Sequence, residues 1–209
     1  MGKDIRALAL WGTAAILAFC IWSRLVMSGY LEAIDILLTR LSAVPATGWL
    51  ELFRFITQLG SIWTVMPAVA LITVYFFFCR CSRAPGRALM FWLVSGGGYF
   101  LAILLKDFFQ RVRPAGEHLV SAYGFAYPSG HALLAVAFYG YLAVVAGRRM
   151  RNPGRVLVGA LAALLVFLIG WSRVYLGVHY PTDVLGGYLA GGAWVALVLL
   201  VDRATVRSW

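Results

Sequence analysis

The sequence predicts an all-α polytopic membrane protein: one bundle of six transmembrane helices with short interfacial helices and no soluble domain. Three observations carry that prediction. First, 62% of the 209 residues are hydrophobic and only 12% are charged, far from a soluble average. Second, the uncharged residues fall into long runs, at 7–23, 55–79, 88–105, 119–147, 156–172 and 184–201. A spanning helix needs about 20 mainly apolar residues, so each run crosses a bilayer with a flanking residue or two. Third, the net charge of +10 is unevenly placed. With both termini on one side, that side holds Lys3, Arg6, Arg80, Arg83, Arg87, Arg148, Arg149, Arg151, Arg155, Arg203 and Arg207 against Asp4 and Asp202, a net of +9, while the rest of the chain nets +1. The positive-inside rule then places both termini in the cytoplasm. The charge orients the protein in a membrane and gives no reason to expect a nucleic-acid partner.

The elements follow in order. Helix one is expected over about 7–27. Lys3 and Arg6 precede it as in a signal peptide, but no A-x-A site follows and Phe19 stands in "LAFC" where a small residue would be needed, so an uncleaved helix is predicted. Cys20, Cys79 and Cys81 lie within or beside spans facing a reducing compartment and give no disulfide argument. Between 28 and 56, "LEAIDILLTRL" places Glu32, Asp35 and Thr39 at helical spacing amid Ile34, Leu37, Leu38 and Leu41, and "WLELFRFI" continues in that style. Helices lying at the membrane interface fit this pattern; so does a lid packed over the bundle. Helix two is expected at about 57–78 and helix three at 88–106. An outer loop of 107–127 leads to helix four at 129–147. Helix five follows at 156–171, a second outer loop at 172–181 and helix six at 182–201. Gly187 and Gly191 form a G-x-x-x-G that suits close packing inside the bundle, with dimerisation as the alternative. One domain, 1–209, is expected, with its chemistry-bearing core at about 100–185.

Three costly polar segments meet on the outer side of helices three to six: "KDFFQRVRP" (106–114), "YPSGH" (127–131) and "SRVYLGVHYPTD" (172–183). All three histidines, His118, His131 and His179, lie on that side. Lysines and arginines at helix ends commonly snorkel to headgroups, and that reading suffices for Arg111. It does not explain cations placed against the orientation bias in the loops that also carry the histidines. Their chemistry fits a phosphate ester. Arg113 and Arg173 can fork onto phosphate oxygens and Lys106 supplies a point charge. The amides of Ser129, Gly130 and His131 open a helix and can face an anion; Gly130 leaves room and the Ser129 hydroxyl adds a donor.

Two histidines suit a two-step transfer, one attacking phosphorus and the other protonating the leaving oxygen and then activating water. Asp183 follows His179 by four residues across "YPT" and can reach back from the first turn of helix six, as the aspartate orients histidine in serine proteases. His179 is then the nucleophile and His131 the acid and base. Two-metal phosphatases need several carboxylates. Only Asp107, Glu117 and Asp183 are near these loops, so no metal and no cofactor is expected, and the cations offset transition-state charge.

Lys106-x6-Arg113-Pro114, Pro128-Ser129-Gly130-His131 and Ser172-Arg173-x5-His179-x3-Asp183 together resemble the three-part signature of the type 2 phosphatidic acid phosphatase (PAP2) superfamily, and "TQLGS" at 57–61 resembles the usual start of that family's second span. The resemblance implies phosphate binding by Lys106, Arg113, Ser129, Gly130 and Arg173, a phosphohistidine on His179, leaving-group protonation by His131 and orientation of His179 by Asp183. His118 and Arg111 fall outside the motifs and receive no catalytic role. Six spans imply a lipid phosphate substrate in a bacterial cytoplasmic membrane, with the site on the external face. Undecaprenyl diphosphate comes first. Phosphatidylglycerol phosphate, phosphatidate and lipid A phosphates, including transfer to a lipid acceptor, are the alternatives. A transporter would place its ionisable residues at the bilayer midplane, and a lipid-binding relative without catalysis would be expected to lack one of His131, His179 and Asp183.

Overall fold

A computed structural model describes residues 2–42, 48–78, 84–148 and 150–205. Cys79, Arg80, Cys81, Arg83, Arg149 and Arg207, placed on the cytoplasmic side above, lie outside the described residues. The described chain is helical: α1 (Gly2–Met27), α2 (Glu32–Ser42), α3 (Leu50–Leu59), α4 (Ile62–Phe78), α5 (Ala84–Phe109), α6 (Gly130–Gly147), α7 (Asn152–Tyr175) and α8 (Pro181–Thr205). Five of these, α1, α5, α6, α7 and α8, are long and apolar enough to span a bilayer, and the pair α3–α4, bent by 47°, counts as a sixth when taken as one broken span. Trp63, Leu71, Phe78 and Val156 are at least 70% exposed, an outward apolar surface whose solvent is lipid.

The predicted spans therefore stand, with their ends shifted by a few residues: α7 runs on to Tyr175, so Ser172 and Arg173, expected in the outer loop of 172–181, belong to the helix. The second predicted helix begins at 57, whereas here α3 runs on to Leu59 and α4 starts afresh at Ile62. Gly60 and Ser61 close α3 through bonds from their N–H groups to the Thr57 and Gln58 carbonyls, and the Ser61 carbonyl then accepts from Thr64 and Val65 to restart the ladder. α6 carries one π turn, Val136–Gly140. π turns of this kind recur inside α-helices near functional sites.

α8 is the central element. α1 lies along it, and the Trp22 indole donates to the Thr182 carbonyl at 3.0 Å. On its other side Gly187 and Gly191 face α6. A Cβ on Gly187 would fall 2.9 Å from Ala132 Cβ, and one on Gly191 would fall 2.8 Å from the Leu133 carbonyl oxygen. Neither clearance admits a side chain, so the G-x-x-x-G serves close approach within the bundle. Val65, Val69, Phe91, Val94, Tyr141 and Val198 form the main buried cluster, joining α4, α5, α6 and α8.

α2 departs from a simple interfacial helix. Asp35 is fully buried while Ile34, Ile36, Leu37 and Leu41 are 41–63% exposed. The helix packs on α7 and α8 with its acid inward and its aliphatic side chains outward, which combines the two arrangements open from sequence.

Candidate active site

The end of α5, the starts of α6 and α8 and the end of α7 meet at one end of the bundle. α5 stops at Gln110, whose φ of 50° breaks the helix. The following loop is stitched in place by bonds from Ala126 N–H to the Arg111 carbonyl and from Leu119 N–H to the Leu176 carbonyl. A turn at Gly177 (φ 74°) then delivers His179. Only glycine suits that turn, because its backbone is left-handed and a Cβ would sit 2.8 Å from the Glu117 carbonyl oxygen.

These segments enclose a cavity of about 790 Å³ lined by Lys106, Arg113, Gly130, His131, Arg173 and His179. Six of the eight predicted site residues thus share one space. Asp183 lies behind His179, fully buried, with Oδ2 3.5 Å from His179 Nδ1. That separation is longer than a formed hydrogen bond, and Nδ1 has no other partner. Such contacts are often loose before substrate binds. The His179 Nε2 is 3.3 Å from Arg113 Nη1. A guanidinium only donates, so this contact suits a neutral ring that carries its lone pair on Nε2 and its proton on Nδ1, toward Asp183. Burial, followed by the charges of Lys106, Arg173 and Arg113, pushes the His179 pKa well below 6.5.

The cations differ in what they have left to offer. Lys106 Nζ donates to the Phe125 carbonyl at 2.5 Å. Arg113 donates to the carbonyls of Gly124, Val178, Tyr123 and Phe125 at 2.6–3.3 Å, so its fork is occupied by backbone, which corrects the expectation of an open one. Burial lowers its pKa, and the Asp183 charge offsets part of that shift. Arg173 is 5% exposed, bonds Thr57 Oγ1 at 2.8 Å through Nη1, and keeps Nε without a partner. Ser129 is another correction. Its N–H, expected to face an anion, donates to the Asp183 carbonyl at 2.9 Å, while its buried hydroxyl has no partner. The Gly130 and His131 amides lie in the first turn of α6 and by position lack intrahelical acceptors. A Cβ on Gly130 would meet nothing closer than 3.7 Å; the space there belongs to the cavity.

Two residues escaped the sequence reading. Arg111, read as a snorkelling cation, binds Asp183 Oδ1 at 2.6 Å and Asp35 Oδ2 at 2.7 Å. Burial pulls its pKa down, and the two carboxylates outweigh that effect and leave it raised. The usable signal was Asp35 itself. An acid on a short helix of a membrane chain needs a buried cation, and "RVR" offered two. His118 is exposed and contacts the Pro114 carbonyl at 3.0 Å.

Comparison with known proteins gives the site its family. Phosphatidylglycerophosphatase B of Bacillus subtilis (strain 168) is 32% identical over 194 residues, 91% of this chain and 94% of its own length. Undecaprenyl-diphosphatase of Sulfolobus acidocaldarius is 27% identical over 164 residues, 74% of this chain and 70% of its own. The crystal structure of a transmembrane PAP2-type phosphatidylglycerolphosphate phosphatase from Bacillus subtilis superposes with a TM-score of 0.85 at 29% identity, covering 95% of this chain and 99% of that one. The PAP2 superfamily model matches residues 87–207, a segment that contains all three polar motifs, and the chain belongs to the PAP2 superfamily.

Proposed function

We propose that this protein is a membrane phosphatase of lipid phosphates that works without a metal, through a phosphohistidine on His179. The observation that carries the reading is the single cavity in which Lys106, Arg113, Arg173 and two histidines adjoin Trp63, Tyr99 and Ile103, residues of α4 and α5. A polar end and an apolar end in one space suit an amphiphile with an anionic head. The basic-residue asymmetry supports cytoplasmic termini and an external site in a bacterial cytoplasmic membrane.

In the first step His179 Nε2 attacks phosphorus and the bond from phosphorus to the lipid-side oxygen breaks. His131 gives its proton to that oxygen. Nδ1–H closes onto Asp183 Oδ2 as the ring becomes cationic. In the second step His131 takes a proton from water, the hydroxide forms the new P–O bond, the P–N bond breaks and inorganic phosphate leaves. Lys106, Arg173 and the charge of Arg113 offset the negative charge that accumulates on the equatorial oxygens, with the Ser129 hydroxyl and the first-turn amides as neutral donors.

Among substrates, the near full-length similarity to a phosphatidylglycerophosphatase favours phosphatidylglycerol phosphate. Undecaprenyl diphosphate, first in the sequence reading, is kept as the second candidate by the similarity to the Sulfolobus diphosphatase. The test is phosphate release by purified protein in EDTA, offered phosphatidylglycerol phosphate, undecaprenyl diphosphate and phosphatidate in turn. Turnover is expected in EDTA, with phosphatidylglycerol phosphate preferred. Activity lost in EDTA and restored by a divalent ion would overturn the metal-free chemistry, and a clear preference for the diphosphate would overturn the substrate assignment.

The low pKa of His179 fixes the sign of one pH effect. The nucleophile must be neutral, and a ring whose pKa lies well below 6.5 stays neutral until the pH falls well below that value. Corrected for substrate ionisation, the acidic limb of kcat/KM, which reports the free enzyme, is expected to be centred well below pH 6.5; the need for a protonated His131 sets a separate alkaline limb. An acidic limb centred at or above 6.5 would show that the His179 imidazole is protonated in the resting site.

A further inference from the structure

We propose that Asp35 and Arg111 are positioning residues for this reaction: Asp35 draws one side of the Arg111 guanidinium away from Asp183, and so leaves one carboxylate oxygen of Asp183 for His179. The proposal rests on the catalytic reading above and concerns a helix, α2, that lies outside the segment matched by the family model.

The geometry is a buried clamp. Arg111 Nη1 donates to Asp183 Oδ1 at 2.6 Å and to Thr182 Oγ1 at 2.8 Å, while Nη2 donates to Asp35 Oδ2 at 2.7 Å. Asp35 accepts in addition from the Thr182 hydroxyl at 2.6 Å and the Thr182 N–H at 3.1 Å. The guanidinium carbon lies 4.5 Å from the centre of the Tyr180 ring. Side-chain exposure is 1% for Asp35, 0% for Asp183 and 17% for Arg111. The two oxygens of Asp183 therefore have separate tasks. Oδ1 is committed to Arg111, and Oδ2 takes the Tyr180 N–H at 2.9 Å and faces His179 Nδ1.

Arginine and carboxylate prefer a two-pronged pairing in which both oxygens are engaged. Left alone with Asp183, Arg111 would adopt it and compete with His179 for Oδ2. Asp35 prevents that by taking Nη2. Stability alone is a poor explanation for this cluster, because buried ion pairs are often no better than apolar packing of the same volume. α2 turns a charged residue inward and leaves its aliphatic residues outside, which a helix selected only to cover the bundle would not need.

The test compares Asp35→Asn, Arg111→Lys, Asp183→Asn and the double variant Asp35→Asn/Asp183→Asn, each confirmed monodisperse in detergent. Asp35→Asn keeps the shape of the site and Arg111→Lys keeps a charge that cannot bridge two carboxylates. Each is expected to lower kcat by about 10- to 100-fold, the cost of misplacing a reacting group by about 1 Å, with KM within about threefold of the parent. Because Asp35 acts through Asp183, the double variant should match Asp183→Asn within about twofold. A parental kcat in either single variant overturns the proposal, as does a loss that persists undiminished when Asp183 is already replaced. If Asp183→Asn itself turns over at the parental rate, the catalytic reading fails with it; if Asp183→Asn is slow and Asp35→Asn is not, only the clamp fails.

Discussion

His179→Ala is expected to lose phosphate release by at least about 10⁴-fold, since removing a covalent nucleophile disables both steps at once. The loss should appear in kcat, because the cavity keeps Lys106, Arg113 and Arg173 and continues to bind the headgroup. The variant is measured against the parent on phosphatidylglycerol phosphate in mixed micelles, with binding of the same lipid followed separately. Residual turnover within tenfold of the parent would remove His179 from the nucleophile's role, whatever its position in the site.

His131→Ala has the second largest expected effect and a different signature. A lipid alkoxide or phosphate leaves poorly without a proton, so steady turnover should fall by about 10²- to 10⁴-fold, the usual worth of general acid–base catalysis. A nitrophenyl phosphate ester leaves without protonation. With such a substrate His131→Ala should still form the P–N bond but lack the base that activates water. The expected result is a burst of one nitrophenolate per active site followed by slow release, with the phosphoryl group trapped on His179. If the histidines have exchanged roles, the burst appears in His179→Ala and is absent from His131→Ala, and the proposed assignment is wrong.

Much of this arrangement was readable in the chain. Spans announce themselves because every residue in a lipid-facing helix obeys the same transfer energetics. Once the spans are placed, alternation of the loops brings "KDFFQRVRP", "YPSGH" and "SRVYLGVHYPTD" to one end without any knowledge of side-chain positions. What stayed hidden depends on contacts between distant parts of the sequence. Asp35 and Thr182 are 147 residues apart, and no periodicity in α2 indicates which side of that helix will meet α8. The occupied fork of Arg113 and the occupied amide of Ser129 are of the same kind. Both follow from carbonyls contributed by neighbouring segments, and a motif records the donor but not what is already bound to it. The break at Gly60–Ser61 was hidden for a local reason, since an apolar run reads the same through a bend as along a straight helix.

The tight fit between Gly187 and the first turn of α6 has a consequence for reading relatives of this protein. His131 is aimed by the backbone beneath it, and that backbone rests directly on α8 with no side chain between. A chain could keep every charged and histidine residue of the three motifs and still, by gaining one methyl group at this position, carry the proposed acid–base group out of line. The signature residues alone are therefore an incomplete description of a working site; two silent hydrogens on α8 belong to it as well.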